Sequence, residues 1–174
     1  MAACDAAGVT TAQLHGDAAR RSLLGLPTRL RAVYVLTASP AGALTTPLPG
    51  ALVEPKPDIM AGPQGWRKAV DWVSFGRRTV DWLLVDGVTP GSGEAYDWSA
   101  LRVPKGASRR GWLLAGGLTP ENVGAAIAAA RPDGVDVASG VAGPDGVAKD
   151  PARVEAFIAA VRAAAGAAPQ RAAR

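Results

Sequence analysis

The sequence has few of the side chains on which redox or metal chemistry depends. Among its 174 residues there is one cysteine, Cys4, and one histidine, His15. A single cysteine cannot form an intramolecular disulfide, and it cannot supply a cysteine-based metal cluster. The residues therefore predict no metal site of that kind.

Long apolar runs are also absent. No stretch approaches the roughly 20 apolar residues that a membrane-spanning helix needs, so the sequence predicts a soluble protein without a membrane partner. The first residues, Met1 to Asp5, lack the basic segment and apolar core of a signal peptide, so no targeting segment is predicted.

Charge of one sign is not concentrated anywhere in the chain. Nineteen Lys and Arg stand against fifteen Asp and Glu, a net charge of +4. Several of the basic residues occur as scattered pairs: Arg20-Arg21, Arg67-Lys68, Arg77-Arg78 and Arg109-Arg110. Aromatic residues make up only 5% and do not interleave with these pairs, so we expect a solvated surface and no nucleic-acid partner.

What the sequence does have is an alternation of apolar runs and Ala-rich helical stretches. The composition, 48% hydrophobic and 20% charged, is that of a globular domain. Strand followed by helix is typical of a parallel α/β sheet. Five strands are predicted: Thr11 to His15, Ala32 to Leu36, Trp82 to Asp86, Trp112 to Ala115 and Val135 to Ser139. Most are continuous apolar runs, as in strands covered on both faces.

Two helices carry clear start signals. Thr119 can cap a helix whose first position is Pro120, and Asp150 with Pro151 repeats that pattern. Their apolar faces are predicted from helical spacing: Val123, Ala126, Ile127 and Ala130 in the first helix, and Val154, Phe157, Ile158 and Val161 in the second. A shorter helix is predicted over Asp17 to Leu26. Prolines and glycines are so dense from Pro40 onward that residues 40–76 are expected to form a loop or insertion.

Polar residues gather where the predicted strands end. Asp86 closes an apolar run, so its carboxylate should be half-buried at the mouth of the sheet, where desolvation favours the protonated form that a general acid needs. An Asp that only caps the next turn is an equally good interpretation. His15 ends the first strand, and Asp136 is predicted inside the last strand, where a buried carboxylate needs a partner.

Glycines follow the last two strands. Gly116-Gly117 lets the backbone approach a ligand, and the helix capped by Thr119 begins directly afterwards, so amide donors and a positive helix end could face a phosphate. Ser139-Gly140 should lie beside this loop. A single Gly-Gly turn is more often structural, but two adjacent loops without a Walker or dinucleotide motif favour phosphate binding.

Several short segments follow one another in a characteristic order and spacing: Gln13-Leu14-His15-Gly16, Leu84-Val85-Asp86, Gly91-Ser92-Gly93 with Tyr96-Asp97-Trp98, Leu114 to Val123, Gly134 to Val141 and Lys149-Asp150-Pro151. In combination and order, these segments resemble the phosphoribosylanthranilate isomerase family, most closely its plant and algal branch.

The resemblance implies a (β/α)8 barrel of the TIM type, of which this chain would hold about five strands, similar to strands 4 to 8. One partial-barrel domain would span residues 1–166, with the insertion around 40–76 and a flexible tail at 167–174. The implied reaction is the Amadori rearrangement of N-(5-phosphoribosyl)anthranilate to 1-(2-carboxyphenylamino)-1-deoxyribulose 5-phosphate in tryptophan biosynthesis, without cofactor or metal. Asp86 would be the general acid. The phosphosugar-anthranilate substrate would be bound by His15, Gly116, Gly117, Asp136, Ser139 and Gly140.

Some family features are missing from the sequence. The family's general base is a cysteine in a Lys-Ile-Cys-Gly motif on the first strand; Cys4 lacks that motif, and Glu94 stands where the family usually has lysine. We therefore expect an N-terminally truncated isomerase with little activity of its own. The alternative is a non-catalytic phosphosugar-binding half-barrel that self-associates or needs a complementing chain. A plant-type relative would be chloroplastic; other relatives would be cytoplasmic.

Overall fold

A single parallel sheet organises the structure, a computed structural model that describes residues 6–46, 80–87 and 95–167. The strands within these ranges are β1 (Thr11–Leu14), β2 (Arg31–Ala38), β3 (Trp82–Gly87), β4 (Trp112–Leu114) and β5 (Gly134–Val135). Every neighbouring pair is parallel, and the order across the sheet is the order along the chain. The predicted parallel α/β architecture is confirmed, and this consecutive order is what a segment of a (β/α)8 barrel requires.

Helices connect or follow the strands. The described residues contain α1 (Asp17–Arg21), α2 (Val123–Ala130) and α3 (Pro151–Ala167), with single 3-10 turns at Ser22–Gly25, Trp98–Ala100 and Ser139–Val141. The helix predicted over Asp17 to Leu26 is thus divided into an α-helical turn and a 3-10 turn. The third helix includes Ala167, one residue into the predicted tail, and residues 168–174 lie outside the described part of the chain.

The capping signal of helix α2 is confirmed by its contacts, although the regular helix begins only at Val123. The carbonyl of Thr119 accepts a bond from the amide of Val123 at 3.0 Å, and the Thr119 hydroxyl accepts one from the amide of Glu121 at 3.3 Å. The Asn122 side chain in turn accepts a bond from the Thr119 amide at 2.8 Å, so Thr119 caps the turn that leads into the helix. The predicted apolar face is confirmed, because Val123 and Ala126 are fully buried and Ile127 and Ala130 pack against the core.

The core lies on both sides of β2 and β3. On one side Tyr34, Leu36 and Val85 are buried together with Phe157 of α3. On the other side Val33, Val35, Leu84 and Ala115 form a second buried cluster. Alternating side chains of a strand point to opposite faces, so the continuous apolar runs of β2 and β3 fill both clusters, as predicted.

Two predictions at the margins of the sheet are wrong. Strand β1 is not one of them: it exposes Thr11 and Gln13, and its sequence is not a continuous apolar run. Strand β5 ends at Val135, not at Ser139, because the only strand it pairs with in the described residues is β4, itself three residues long. Ser139 lies beyond this strand and begins a separate 3-10 turn. Ile158 of α3 is 44% exposed, because the buried side of the helix runs through Phe157.

The start of the predicted loop region folds back on the sheet. After β2, residues 39–43 form a turn, and an antiparallel bridge joins Ala38 to Leu44. The hydroxyl of Thr46 accepts a bond from the amide of Thr37 at 2.9 Å. These contacts hold residues 40–46 beside the carboxyl end of β2; residues 47–76 of the predicted insertion lie outside the described residues.

Candidate active site

The carboxyl edge of the sheet carries a row of residues on one face. Asp86 follows Leu84 by two positions, so it shares the face of the second core cluster. Strand pairing places Thr37 opposite Asp86 on one side, and Ala115 follows β4 on the other. Asp136, whose amide bonds to the carbonyl of Leu114 at 2.8 Å, comes next in the same row. The sheet thus brings two of the predicted carboxylates to one face of its edge.

Asp86 is half-buried at the mouth of the sheet, as predicted. One carboxylate oxygen accepts a bond from the amide of Gly87 at 2.8 Å. Gly116 lies so close that a Cβ there would stand 2.8 Å from the same oxygen and 2.8 Å from the Gly87 nitrogen. The first glycine of the Gly-Gly pair therefore also makes room for the Asp86 carboxylate.

Tyr96 lies on the other side of Asp86, in a role that no sequence pattern predicted. Its buried hydroxyl lies 3.0 Å from the carbonyl oxygen of Ala115 and 3.3 Å from that of Val85, so it donates across the ends of β3 and β4. Its ring lies against Gly116 and Gly87. Burial, and then the negative charge of Asp86, raises the pKa of Tyr96. The group is thus a neutral clamp on the strand ends. A tyrosine ten residues after an aspartate is not a sequence pattern that predicts such a contact with the strand ends.

Asp136 differs from its prediction. It follows β5 instead of lying within it, and its side chain is exposed instead of buried. Even so, the neighbouring protein removes enough water to raise its pKa, and the charge of Asp86 adds to that shift. Asp136 is therefore an exposed carboxylate whose pKa responds to the charge of Asp86, and it is not a buried carboxylate that needs a partner.

The two glycine loops are in direct contact. Gly116 and Gly117 have φ angles of 83° and 65°, which favour glycine. A Cβ at Gly140 would collide with the carbonyl oxygen of Leu118 and stand 3.2 Å from the Cα of Thr119. The prediction that these loops lie side by side is confirmed. Ser139 is exposed and Gly140 half-buried, so the joined loops are open to a ligand.

Two further side chains hold these loops, and sequence reasoning missed both. The Asn122 side-chain amide donates to the carbonyl of Gly117 at 2.8 Å. Arg153 of α3 donates from Nε and Nη2 to the carbonyl of Gly140 at 3.2 and 3.0 Å. The spacing from Thr119 to Asn122 suits a reciprocal turn contact and could have indicated the first; no sequence pattern indicates the second.

His15 lies outside this row, because the pairing of Leu14 with Tyr34 puts His15 level with Val35, two positions before Thr37. It follows β1 directly and is exposed, and β2 separates it from the strand of Asp86. Two residues further on, Asp17 accepts a bond from Arg20 at 2.6 Å, and this contact lowers the pKa of Asp17. Arg20 is 8% exposed and also donates to the carbonyl of Val35 at 3.1 Å. A buried arginine thus fixes the backbone just beyond His15.

Some predicted features lie outside the described residues: Cys4, Gly91-Ser92-Gly93 and Glu94. Within residues 6–46, 80–87 and 95–167, no three His, Cys, Asp or Glu side chains converge as metal ligands. In the same ranges, no helix has both the length and the apolar character to cross a bilayer.

Consecutive parallel strands with a carboxylate and two glycine loops at their carboxyl edge define part of a (β/α)-barrel protein. Comparison with known proteins identifies which barrel family it is. The family model described as N-(5'phosphoribosyl)anthranilate (PRA) isomerase matches residues 67–160, slightly more than half of the chain. The chain belongs to this family.

Individual relatives agree with the family match. The chain is 36% identical over 162 residues to N-(5'-phosphoribosyl)anthranilate isomerase 1, chloroplastic, of Arabidopsis thaliana, covering 93% of this chain and 50% of that protein. An isomerase of the same name from Pseudomonas fluorescens is 56% identical over 78 residues, 45% of this chain and 35% of that protein. The chain spans about half the length of the plant relatives it matches.

Solved structures give the same fold. TrpF from Jonesia denitrificans superposes with a TM-score of 0.57 at 33% identity, covering 94% of this chain and 65% of that one. Phosphoribosyl anthranilate isomerase from Thermococcus kodakaraensis gives 0.54 at 30% identity, with 92% and 67% covered. The predicted partial barrel of the TIM type is confirmed.

Proposed function

We propose that this chain supplies the acid and the phosphate anchor of a phosphoribosylanthranilate isomerase site. The substrate would be N-(5-phosphoribosyl)anthranilate, which the reaction converts to 1-(2-carboxyphenylamino)-1-deoxyribulose 5-phosphate. The observation that supports the proposal is the contact of Asp86 with Gly116, because it places the acid and the first glycine loop together at the carboxyl edge of the sheet. Family membership supports the same reaction.

Each part of the site has a role in that chemistry. The Asp86 carboxyl would protonate the furanose ring oxygen as the ring opens, and the C–O bond electrons would stay on that oxygen. The amides of the loops at Gly116, Gly117, Ser139 and Gly140 would hold the phosphate and fix the sugar. Asp136, which neighbours Asp86 in the row, and His15, at the end of β1, would contact the rest of the substrate.

The base that takes the C2′ proton is the part the sequence does not provide in recognisable form, because it contains no Lys-Ile-Cys-Gly motif. We propose that the chain up to the end of α3 at Ala167 forms one barrel-type domain. A complementing chain or a second copy would complete the sheet. The plant-like sequence supports a chloroplast location, which fractionation of source cells would test.

The isomerase proposal is tested by adding a fragment with the remaining barrel strands and the Lys-Ile-Cys-Gly motif to the purified chain. Loss of anthranilate-type fluorescence from the substrate measures turnover. We expect turnover from the mixture and little from the chain alone. Asp86→Asn should lower turnover by about 100-fold or more while ligand affinity changes little.

Asp81→Asn is the matched control, since Asp81 precedes the same strand but accepts a bond from the Ala32 amide at the opposite end of the sheet. Any loss of turnover in this variant should accompany a loss of stability. Turnover retained by the Asp86→Asn mixture would remove Asp86 from the acid role. Phosphate binding without turnover in any mixture would favour the non-catalytic alternative.

A further inference from the structure

We infer that Arg153 is a positioning residue of the phosphate site: it holds the Gly140 carbonyl toward α3 and so turns the amide side of that peptide toward the anion. The inference rests on the proposed function, because it assigns a mechanism to the same anchor. Arg153 itself would not need to touch the ligand.

The contact is specific in its geometry. Two guanidinium nitrogens, Nε and Nη2, donate to the single carbonyl oxygen of Gly140, at 3.2 and 3.0 Å. The residues are 13 positions apart, so the bond joins α3 to the loop after β5 and is not a local turn contact. Hydrogen bonds from a charged donor are stronger than neutral ones, so this contact can fix the orientation of an otherwise open peptide.

The geometry of the peptide bond shows how this contact would orient the Val141 N–H. In a trans peptide the carbonyl and the following N–H point in opposite directions, and the described residues contain no cis peptide. When the Gly140 oxygen faces Arg153 on α3, the N–H of Val141 must face away from α3. A carbonyl turned the other way would present a negative oxygen to a phosphate and repel it.

The neighbouring loop repeats this arrangement with another side chain. Asn122 donates to the carbonyl of Gly117 at 2.8 Å, which directs the N–H of Leu118 away from Asn122. Gly140 rests against the carbonyl of Leu118, which belongs to the next peptide of that loop, so the two loops are in contact. Both loops of the anchor thus have a carbonyl bound by a side chain from the helical layer.

Arg153 also forms a loose ion pair that is not expected to matter. Its Nη2 lies 3.7 Å from a carboxylate oxygen of Glu121, and both side chains are substantially exposed. Exposed pairs of this kind contribute little. This difference between one strong and one weak contact allows them to be separated by mutation.

The test measures inorganic phosphate binding to the full chain by amide NMR, following the Leu118 and Val141 signals. In the unmodified chain phosphate should shift both signals. Arg153→Gln should raise the dissociation constant about tenfold, as expected for loss of a charged hydrogen bond. Arg153→Lys keeps the charge but not the two-nitrogen fork, so a rise of about threefold is expected.

Two controls separate positioning from simple charge. Arg162→Gln removes the same charge from an exposed site on α3, and Glu121→Gln removes the ion pair together with the carboxylate charge that also bonds the Thr119 side chain. Both should leave the dissociation constant within about twofold of the unmodified value. Melting temperatures show which variants fold; if Arg153→Gln does not, Arg153→Lys decides the question.

The outcomes distinguish the two proposals. Phosphate binding that is equal in Arg153→Gln and Arg162→Gln, or unchanged in Arg153→Lys when that variant decides, overturns the positioning role and leaves the proposed function standing. No phosphate-dependent shift at Leu118 or Val141 in the unmodified chain overturns the phosphate anchor, and the role of Arg153 with it.

Discussion

The two halves of the candidate site are built in different ways. The acid half, around Asp86, sits on the central strand β3, beside a buried tyrosine whose hydroxyl bonds to backbone of β3 and β4. The anchor half, around Gly140, follows the two-residue strand β5 and is held from outside by Arg153. Under the proposed function, the acid chemistry would depend on the centre of the sheet, whereas ligand binding would depend on side chains that reach the loop from helices.

Gly140→Ala should break the anchor half most severely. The added Cβ would collide with the carbonyl of Leu118, which belongs to a packed backbone and cannot move aside cheaply. We expect a loss of about 3 kcal/mol in the free energy of unfolding, measured in urea. Gly124→Ala is the control, because nothing lies within 4 Å of its Cβ and the helix should gain about 0.5–1 kcal/mol. Equal stabilities of the two variants would show that the loops are not interlocked.

Tyr96→Phe should loosen the acid half while leaving the anchor in place. The ring stays, but the carbonyls of Val85 and Ala115 lose a buried donor, at a cost of about 1–2 kcal/mol. Urea unfolding measures the loss, and phosphate affinity at the Gly140 loop should not change. A fall in phosphate affinity as large as that of Arg153→Gln would mean that the halves are one unit.

The pH dependence of the free energy of unfolding should depend on the buried Tyr96 hydroxyl. Burial raises the pKa of Tyr34 from 10.0 to about 12, and it raises the pKa of Tyr96 as well. A raised folded pKa means that the unfolded chain loses these protons first, so stability is complete below pH 10 and falls as pH rises above it. Tyr96→Phe should make this fall shallower in melts between pH 9 and pH 12. An unchanged slope would indicate that the Tyr96 hydroxyl is exposed to water in the folded protein.

Asp150→Ala tests the helix that carries Arg153. The Asp150 carboxylate accepts bonds from the amides of Ala152 at 2.8 Å and Arg153 at 3.4 Å, so it caps α3. Loss of this cap should cost about 1 kcal/mol in urea unfolding. Phosphate affinity should fall slightly, because the start of α3 positions Arg153. Asp145→Ala, in the preceding turn, should leave that affinity unchanged.

Asp136→Asn should have the smallest effect. The raised pKa of Asp136 means that its charged form is unfavourable in the folded protein, mainly through lost hydration and secondly through Asp86. The penalty applies above the usual carboxyl range and vanishes at low pH, where both states are protonated. The variant should therefore melt slightly higher than the parent at pH 7 and equally at pH 3. A lower melting temperature at pH 7 would show that the Asp136 charge stabilises the fold.

The accuracy of the sequence predictions differs between the same two halves of the candidate site. The apolar runs of β2 and β3 are long and fully buried, so their pattern located the strands and placed Asp86 at the mouth correctly. Strand β5 is two residues long, and such a short edge has no periodicity to detect. The predicted burial of Asp136 was wrong for that reason, since it depended on a strand that ends one residue earlier.

Contacts between distant segments were not predictable from pattern. The glycines after the last two strands, in Gly116-Gly117 and Ser139-Gly140, indicated two loops that lie side by side, and the contact of Gly140 with Leu118 confirms this. Which way a carbonyl points is decided by a partner elsewhere in the chain, such as Arg153, and neither composition nor spacing encodes that partner. The burial of Arg20 likewise depends on where the end of β2 lies in space.

The consecutive order of the strands also bears on how the protein can be made. Each strand in the described sheet pairs only with strands that come just before or just after it in the chain. A growing chain can therefore add each strand to a sheet edge that already exists, without waiting for a segment that the ribosome has not yet produced. By this order the acid on β3 would be in place before the anchor that follows β5.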